Sequence, residues 1–336
     1  MCRAMAFSKA DIEACMVEKM LRADDKTTIK ELRLDCWRHL DNISVMVADE
    51  VIDTEDETDS AVEKRENIEE ATEALPYVLT PHKPNYFLLA AYNTQPPNQG
   101  PFDIAYPGED YDLQSTEAKF QVSLKFPVLF DMFGKNGDLF MAYTNRSFWQ
   151  MYNSDISAPF RETNHEPEVW ISFDTDWDFL GLKNRNISIG AVHQSNGQSG
   201  NLSRSWNRLF AEFRLERGNF LFSLKPWWRT PEDDEDDNNP DIEDYLGNFE
   251  LLSVYKVGKA VFGRKWLKDS TFSLLWRNNL RFDSDNRGAV ELGWSFPLYQ
   301  RLRLYTQWFN GYGESLIDYN DSVNSFGIGL QLNDWL

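Results

Sequence analysis

The chain has 336 residues, and its 34 basic against 54 acidic side chains give a net charge of −20. That balance excludes the basic face a nucleic-acid binder needs, and no apolar run approaches the ~20 residues of a spanning helix. The aromatic content of 14%, with 12 Trp, 13 Tyr and 23 Phe, suits strand-rich or interfacial structure, and low hydropathy is compatible with a transmembrane β-barrel, whose apolar and polar residues alternate.

Residues 1–80 carry half of the net charge. Met1–Ala10 lacks the apolar core of a signal peptide, so none is visible in this chain. The three cysteines, Cys2, Cys15 and Cys36, all fall here, and an odd count leaves at least one without an internal partner. Residues 9–40 fit two short helices, which a Cys15–Cys36 bridge could join in an oxidising compartment. From Glu50 to Glu73, 11 acids stand against Lys64 and Arg65 alone, the composition of a solvated, partly disordered segment. Pro81 and Pro84 mark a boundary. The expected organisation is an acidic N-terminal extension over 1–80 and one β-domain over 83–336.

Beyond residue 84 the period changes to two. Phe120, Val122, Leu124, Phe126 and Val128 alternate with Lys119, Gln121, Ser123 and Lys125; Val290, Leu292, Trp294 and Phe296 alternate with Glu291, Gly293 and Ser295. This pattern predicts twelve strands, near 85–93, 117–129, 137–149, 166–176, 185–194, 204–216, 219–229, 246–257, 270–282, 288–297, 301–312 and 323–334. Alternation alone fits a soluble sandwich as well as a barrel. The connections favour the barrel: long ones at 94–116, 150–165, 230–245 and 313–322 alternate with short ones at 130–136, 177–184 and 298–300. An even number of ~10-residue strands with long loops at one end and short turns at the other is the pattern of an outer-membrane barrel. The 258–269 connection, long on the short-turn side, breaks it. The fold class expected is all-β, a twelve-stranded antiparallel transmembrane β-barrel.

Of the four histidines, His39 and His82 lie outside the strands and His165 falls in or beside a loop. His193 differs. On the fifth strand Ile187, Ile189 and Ala191 share a face, and the next members of that face are His193 and Ser195. On the sixth, Leu215, Phe213, Ala211 and Leu209 lead back to Asn207. Polar groups in a lipid-facing phase are costly, and Ser, His and an orienting amide together make an activated nucleophile. Such groups could equally form the polar rim where the chain leaves the bilayer. The Glu232–Asp237 run reads as a solvated external loop, since it lacks the spaced Gly and mixed ligands of a calcium loop.

Several stretches are specific. His193-Gln-Ser195-Asn196-Gly197-Gln-Ser199, then Ser203-Arg204-Ser205-Trp206-Asn207-Arg208, resembles the signature of bacterial outer membrane phospholipase A. So do Pro159-Phe160-Arg161-Glu162-Thr163-Asn164, Glu166-Pro167-Glu168, Gly311-Tyr312-Gly313-Glu314-Ser315-Leu316-Ile317-Asp318-Tyr319-Asn320 and Leu332-Asn333-Asp334. The resemblance covers about 83–336. It implies a calcium-dependent phospholipase of the outer membrane, cleaving phospholipid and lysophospholipid at either acyl position and active as a homodimer. The family's nucleophile, base and orienting amide fall on Ser195, His193 and Asn207. Its calcium ligands fall on the Ser203 hydroxyl, the Gln198 carbonyl and Ser157 of the partner subunit. Gln198 stands where the family has Arg, Asn145 stands where its dimer seam has Gln, and Leu336 ends a chain of a type that usually ends in an aromatic. The competing readings are a lipid-A deacylase, which shares the Ser–His logic, and a diffusion porin, whose narrow lumen pairs such as Arg208, Glu212 and Arg214 would fill. No Gly-x-Ser-x-Gly elbow points to a soluble serine hydrolase.

Overall fold

The computed structural model describes residues 60–73, 78–108, 112–233, 235, 237–258, 267–299 and 301–336. The chain divides into two units between Thr80 and Pro81. In the first, helix α1 (Ala61–Glu73) occupies the end of the acidic run that composition alone assigns to solvated coil. Two local features favour the helix. The Ser60 hydroxyl accepts from the Glu63 amide at 3.0 Å, as in a capping box, and Arg65 Nε reaches Glu69 Oε1 one turn on at 2.7 Å. The helices expected over 9–40 and any pairing of Cys2, Cys15 and Cys36 lie outside the described residues.

The second unit is a barrel of twelve strands: β1 (Asn85–Asn93), β2 (Thr116–Leu129), β3 (Asp138–Trp149), β4 (Phe160–Phe179), β5 (Leu182–Ser195), β6 (Ser205–Arg217), β7 (Phe220–Arg229), β8 (Phe249–Lys256), β9 (Thr271–Asn278), β10 (Gly288–Tyr299), β11 (Leu302–Gly311) and β12 (Val323–Asn333). Two short helices, α2 (Gly100–Ala105) and α3 (Ile242–Leu246), lie in connections. Each strand pairs antiparallel with its sequence neighbours, and β12 pairs with β1, so the sheet closes and has no edge. Turns of two residues, 180–181 and 218–219, sit at one end with the longer 130–137 connection, and β8 runs on to β9 and β10 to β11 at that same end. At 180–181 both Leu180 and Gly181 have positive φ, the two-residue turn whose twist suits a hairpin. The opposite end carries every connection of 94–115, 150–159, 196–204, 230–248, 279–287 and 312–322.

The apolar phase faces outward. Val122, Met141, Val169, Ile189, Leu209, Leu224, Leu274, Leu292, Phe326 and Ile328 are all exposed, whereas Lys119, Gln121, Ser123, Glu168 and Gln307 are buried. A soluble protein would invert this; a barrel in lipid requires it. The interior is filled, not open. Lys119 on β2 reaches Gln307 on β11 at 2.7 Å and Glu314 at 3.0 Å. Arg161 spans from Glu117 at 2.9 Å to Asp318 at 2.5 Å. Glu168 on β4 collects Lys225 from β7 and Lys83, each at 2.7 Å, together with His82 at 3.3 Å. His82 also stacks on Trp170. Arg208 turns to Glu166 at 3.5 Å and lies over the Trp206 ring, while Arg214 pairs with Glu212 at 3.3 Å. Among the described residues these pairs cross the lumen, which counts against the porin. In the loop that caps it, burial pushes the Asp318 carboxyl above its ordinary range despite Arg161. Burial acts likewise on Glu314, but Lys119 outweighs it and holds that carboxyl low.

Two expectations change. The fourth strand begins at Phe160, not near 166, because Glu162 and Asn164 carry the strand into the polar lumen, where they accept from the Ile317 amide at 2.8 Å and the Leu316 amide at 3.3 Å. His165 therefore lies within a strand and not in a loop. The ninth strand stops at Asn278, since Asn279 turns its side chain to the Asp244 and Asp285 carbonyls.

Arg161→Ala would leave two buried carboxylates unpaired. Equilibrium urea unfolding into and out of phospholipid vesicles should show a loss of about 3–5 kcal/mol.

Candidate active site

Strands β5 and β6 run antiparallel with His193 directly opposite Asn207 and Ser195 directly opposite Ser205. Opposed residues share a face and bring their Cβ atoms to roughly 4.5–5.5 Å. The face is the outer one: Ile189 and Leu209, two and one steps further into the wall on the same phase, are exposed to lipid. His193 Nδ1 lies 2.8 Å from Asn207 Oδ1. Because a carboxamide oxygen only accepts, Nδ1 carries the proton there and Nε2 is left with its lone pair. Ser195 is two residues along the same strand. Among the described residues, no hydrogen bond joins its hydroxyl to His193. The Asn207 main chain is fixed as well, since its carbonyl accepts from the Thr230 amide at 2.8 Å, one residue beyond the end of β7.

The other flank of Ser195 is His165, its direct partner on β4. His165 Nδ1 is 2.5 Å from the Tyr143 hydroxyl, and a Cβ added to Gly197 would stand 3.5 Å from its Nε2. Tyr143, Thr163, His165, His193, Ser195 and Asn207 thus form a polar strip across the outer wall from β3 to β6. On the same strip the Asn145 carboxamide accepts from Ser147 Oγ at 3.0 Å.

The 196–204 connection rises beside this strip. Asn196, buried, ties it together with three bonds: its Nδ2 donates to the Leu202 carbonyl at 2.7 Å, and its Oδ1 accepts from the amides of Arg204 at 3.0 Å and Gln198 at 3.3 Å. Gly197 and Gly200 take positive φ in this tight loop. Gln198 and Ser203, two of the expected calcium ligands, are both held here, and Ser203 Oγ accepts from Asn238 Nδ2 at 3.3 Å. Ser157 lies in the neighbouring 150–159 connection, at φ +63, and Ala158 follows at φ +49. Two consecutive non-glycine residues in the left-handed region are unusual and cost energy that the surroundings must supply. The donor set offered by Ser203, Gln198 and Ser157 is oxygen only, which suits a hard cation such as calcium.

Two residues of the acidic 232–237 run are not merely solvated. Asp237 accepts from Arg229 Nη2 at 2.7 and 2.8 Å, and Glu232 Oε1 accepts from Asn207 Nδ2 at 3.1 Å.

The profile of the family described as phospholipase A1 matches residues 62–332. The chain belongs to the phospholipase A1 family. Phospholipase A1 of Escherichia coli strain K12 is 39% identical over 259 residues, which covers 77% of this chain and 83% of that protein. The Klebsiella pneumoniae phospholipase A1 is 39% identical over 261 residues, covering 77% and 84%. Among solved structures, outer membrane phospholipase A of Escherichia coli superposes with a TM-score of 0.69 at 38% identity, over 77% of this chain and all of that one. The Salmonella typhi outer membrane phospholipase, a dimer with bound calcium, gives 0.68 at 37% identity, over 77% of this chain and 94% of that one. This member of the family is a bacterial outer-membrane β-barrel, as the alternation and the loop lengths lead one to expect.

Reading the sequence alone misses Tyr143, His165, Asn196 and Glu232. The phase of β4 would have exposed His165 once its start at Phe160 was known. Asn196 and Glu232 act through loops, and no periodicity marks them.

Asn196→Ala deletes all three ties of the 196–204 loop, each worth about 1 kcal/mol. Hydrogen exchange followed by mass spectrometry should show the Gln198 and Arg204 amides exchanging at least about tenfold faster, with the barrel strands unchanged.

Proposed function

We propose that this protein hydrolyses the acyl esters of glycerophospholipids and lysophospholipids, at either acyl position, through Ser195, His193 and Asn207 on its lipid-facing wall. The observation that carries the proposal is the His193 Nδ1–Asn207 Oδ1 contact of 2.8 Å beside Ser195, on a face that turns apolar at Ile189 and Leu209 further into the wall. The acyl ester arrives laterally from the leaflet. His193 Nε2 takes the Ser195 proton as Oγ attacks the ester carbonyl carbon. Nε2 then returns a proton to the departing glycerol oxygen, and the acyl group remains on Ser195. Water, deprotonated by the same Nε2, attacks that acyl carbon, releases the fatty acid and restores the hydroxyl. Asn207 holds the imidazole and its tautomer throughout but carries no charge of its own to offset the imidazolium.

Calcium fits the oxygen donors of Ser203 and the Gln198 carbonyl, completed by Ser157 of the partner subunit, and when bound it supplies positive charge for the developing oxyanion. A backbone ligand at Gln198 survives the replacement of the family's Arg. A second barrel would also wall off the strip, which in a lone barrel opens directly onto acyl chains. The relatives named above are phospholipases, which supports phospholipid over lipid A as the substrate.

Fatty-acid release from phospholipid mixed micelles tests the chemistry. Ser195→Ala and His193→Ala should each lower kcat by at least about 10³-fold with the barrel still folded, and Asn207→Ala by roughly 10²-fold, since it orients and does not react. Wild-type turnover in Ser195→Ala would remove the nucleophile.

Metal removal tests the assembly. With calcium, sedimentation in detergent should give dimers and full hydrolysis; with a chelator, monomers and little activity, because an ion that binds only the assembled state favours it by linkage. Full activity in a strictly monomeric sample would refute this part.

A further inference from the structure

The Asn207 amide has two ends, and both are engaged: Oδ1 faces His193 Nδ1 at 2.8 Å, and Nδ2 faces Glu232 Oε1 at 3.1 Å. A carboxylate has no proton to give. Its partner must therefore be the NH2 end, which forces the carboxamide oxygen toward the imidazole. That oxygen in turn can only accept, so Nδ1 is the protonated nitrogen and Nε2 is the base. One acidic side chain in a loop thereby determines, through an amide, which ring nitrogen of His193 is free to act. Without it, an Asn beside a His is degenerate: the amide can rotate by half a turn and donate to a bare Nδ1, which leaves the proton on Nε2 and the base disabled.

We propose that Glu232 is a positioning residue for hydrolysis, the fourth member of a Ser195–His193–Asn207–Glu232 chain; the inference rests on the reading of the first three as the catalytic triad. Glu232 does two things. It fixes the amide orientation, and it places a negative charge at the far end of the relay, where it polarises the amide so that Oδ1 becomes a better acceptor as the imidazolium forms. The geometry supports a built contact. Glu232 is partly buried, it follows Thr230, whose amide already bonds the Asn207 carbonyl, and main chain and side chain of Asn207 are thus gripped by the same stretch after β7. The remainder of the loop is anchored independently by Asp237 on Arg229 and by Asn239 Oδ1, which accepts from the Ser205 amide at 3.0 Å. The stretch is held at both ends, with Glu232 at the amide.

The test uses the full chain in phospholipid mixed micelles with calcium. Glu232→Gln preserves shape, but it can donate as well as accept and so no longer selects one orientation of Asn207. We expect kcat to fall about three- to tenfold with KM unchanged, the size of one charge acting across a partly solvated contact. The rate at which a sulfonyl fluoride sulfonylates Ser195, with loss of fluoride, should fall in parallel, and Glu232→Ala should behave as Gln does. In an Asn207→Ala background the same change should cost less than about twofold, because Glu232 acts through that amide. Wild-type kcat in Glu232→Gln, a change confined to KM, or an undiminished loss in the Asn207→Ala background would each overturn the inference. Ser195→Ala, run alongside, separates the cases: if it keeps turnover the triad itself is wrong, and if it is inactive while Glu232→Gln is normal, only the role of Glu232 fails.

Discussion

Closure of the sheet in lipid is the constraint on which everything else in this molecule depends. A strand in the bilayer can satisfy its backbone only by pairing, and a barrel pairs every strand only if the last meets the first. β12 against β1 does this. The outer wall must then be apolar, and the charge of a rather hydrophilic chain is driven inward. There each ion needs a partner, since water is scarce and an unpaired buried charge costs several kcal/mol. Glu168 answers with Lys83, Lys225 and His82, and Arg161 answers Glu117 and Asp318 together. The lumen becomes a second core made of ion pairs and aromatic faces, and it fixes strand register as firmly as apolar packing would.

A wall so constrained makes a precise platform. His193 and Asn207 face each other because β5 and β6 are in register, and that register is the same one that keeps Ile189 and Leu209 in lipid and Arg208 in the lumen. Slipping β6 by one residue would exchange its faces, lose the lumen pairs and expose charge to acyl chains. The site geometry is therefore protected by the energetics of the whole barrel. Loops carry the finer adjustments: Asn196 sets the 196–204 turn, and the stretch after β7 grips Asn207 from outside the wall.

The sequence makes the strands legible wherever one face is uniformly apolar, as in β2, β10 and β12. It fails at the start of β4, where both phases are polar: Glu162 and Asn164 face the lumen while Thr163 and His165 face outward. No period can announce a strand there. The outward His193, Ser195 and Asn207 stand out for the opposite reason, as polar members of an apolar phase. Tyr143 and His165 belong to the same outer strip but depend on the pairing of β3 with β4. Glu232 hides within an acidic run, and its bond to a residue 25 positions earlier is a product of tertiary structure alone.

If Asn207 orients His193 as proposed, that separation of Glu232 from the wall bears on why the residue at 207 is an amide. An aspartate at position 207 would stabilise an imidazolium better, but it would hold a permanent negative charge on a lipid-facing surface, where burial of charge is costly whenever the base is neutral. An asparagine avoids that cost and, alone, gives up both the charge and the fixed orientation. Splitting the task resolves the conflict. The neutral amide sits in the wall, at the depth where acyl esters arrive, and the carboxylate sits in the loop beyond it, where water and counter-ions moderate its charge. The electrostatic help is weaker than that of a directly bonded aspartate, so the site depends more on whatever else stabilises the developing oxyanion. On the proposed function, an enzyme embedded in its own substrate would gain from that dependence: a triad of modest intrinsic power would stay quiet until the remaining charge is supplied from outside the wall.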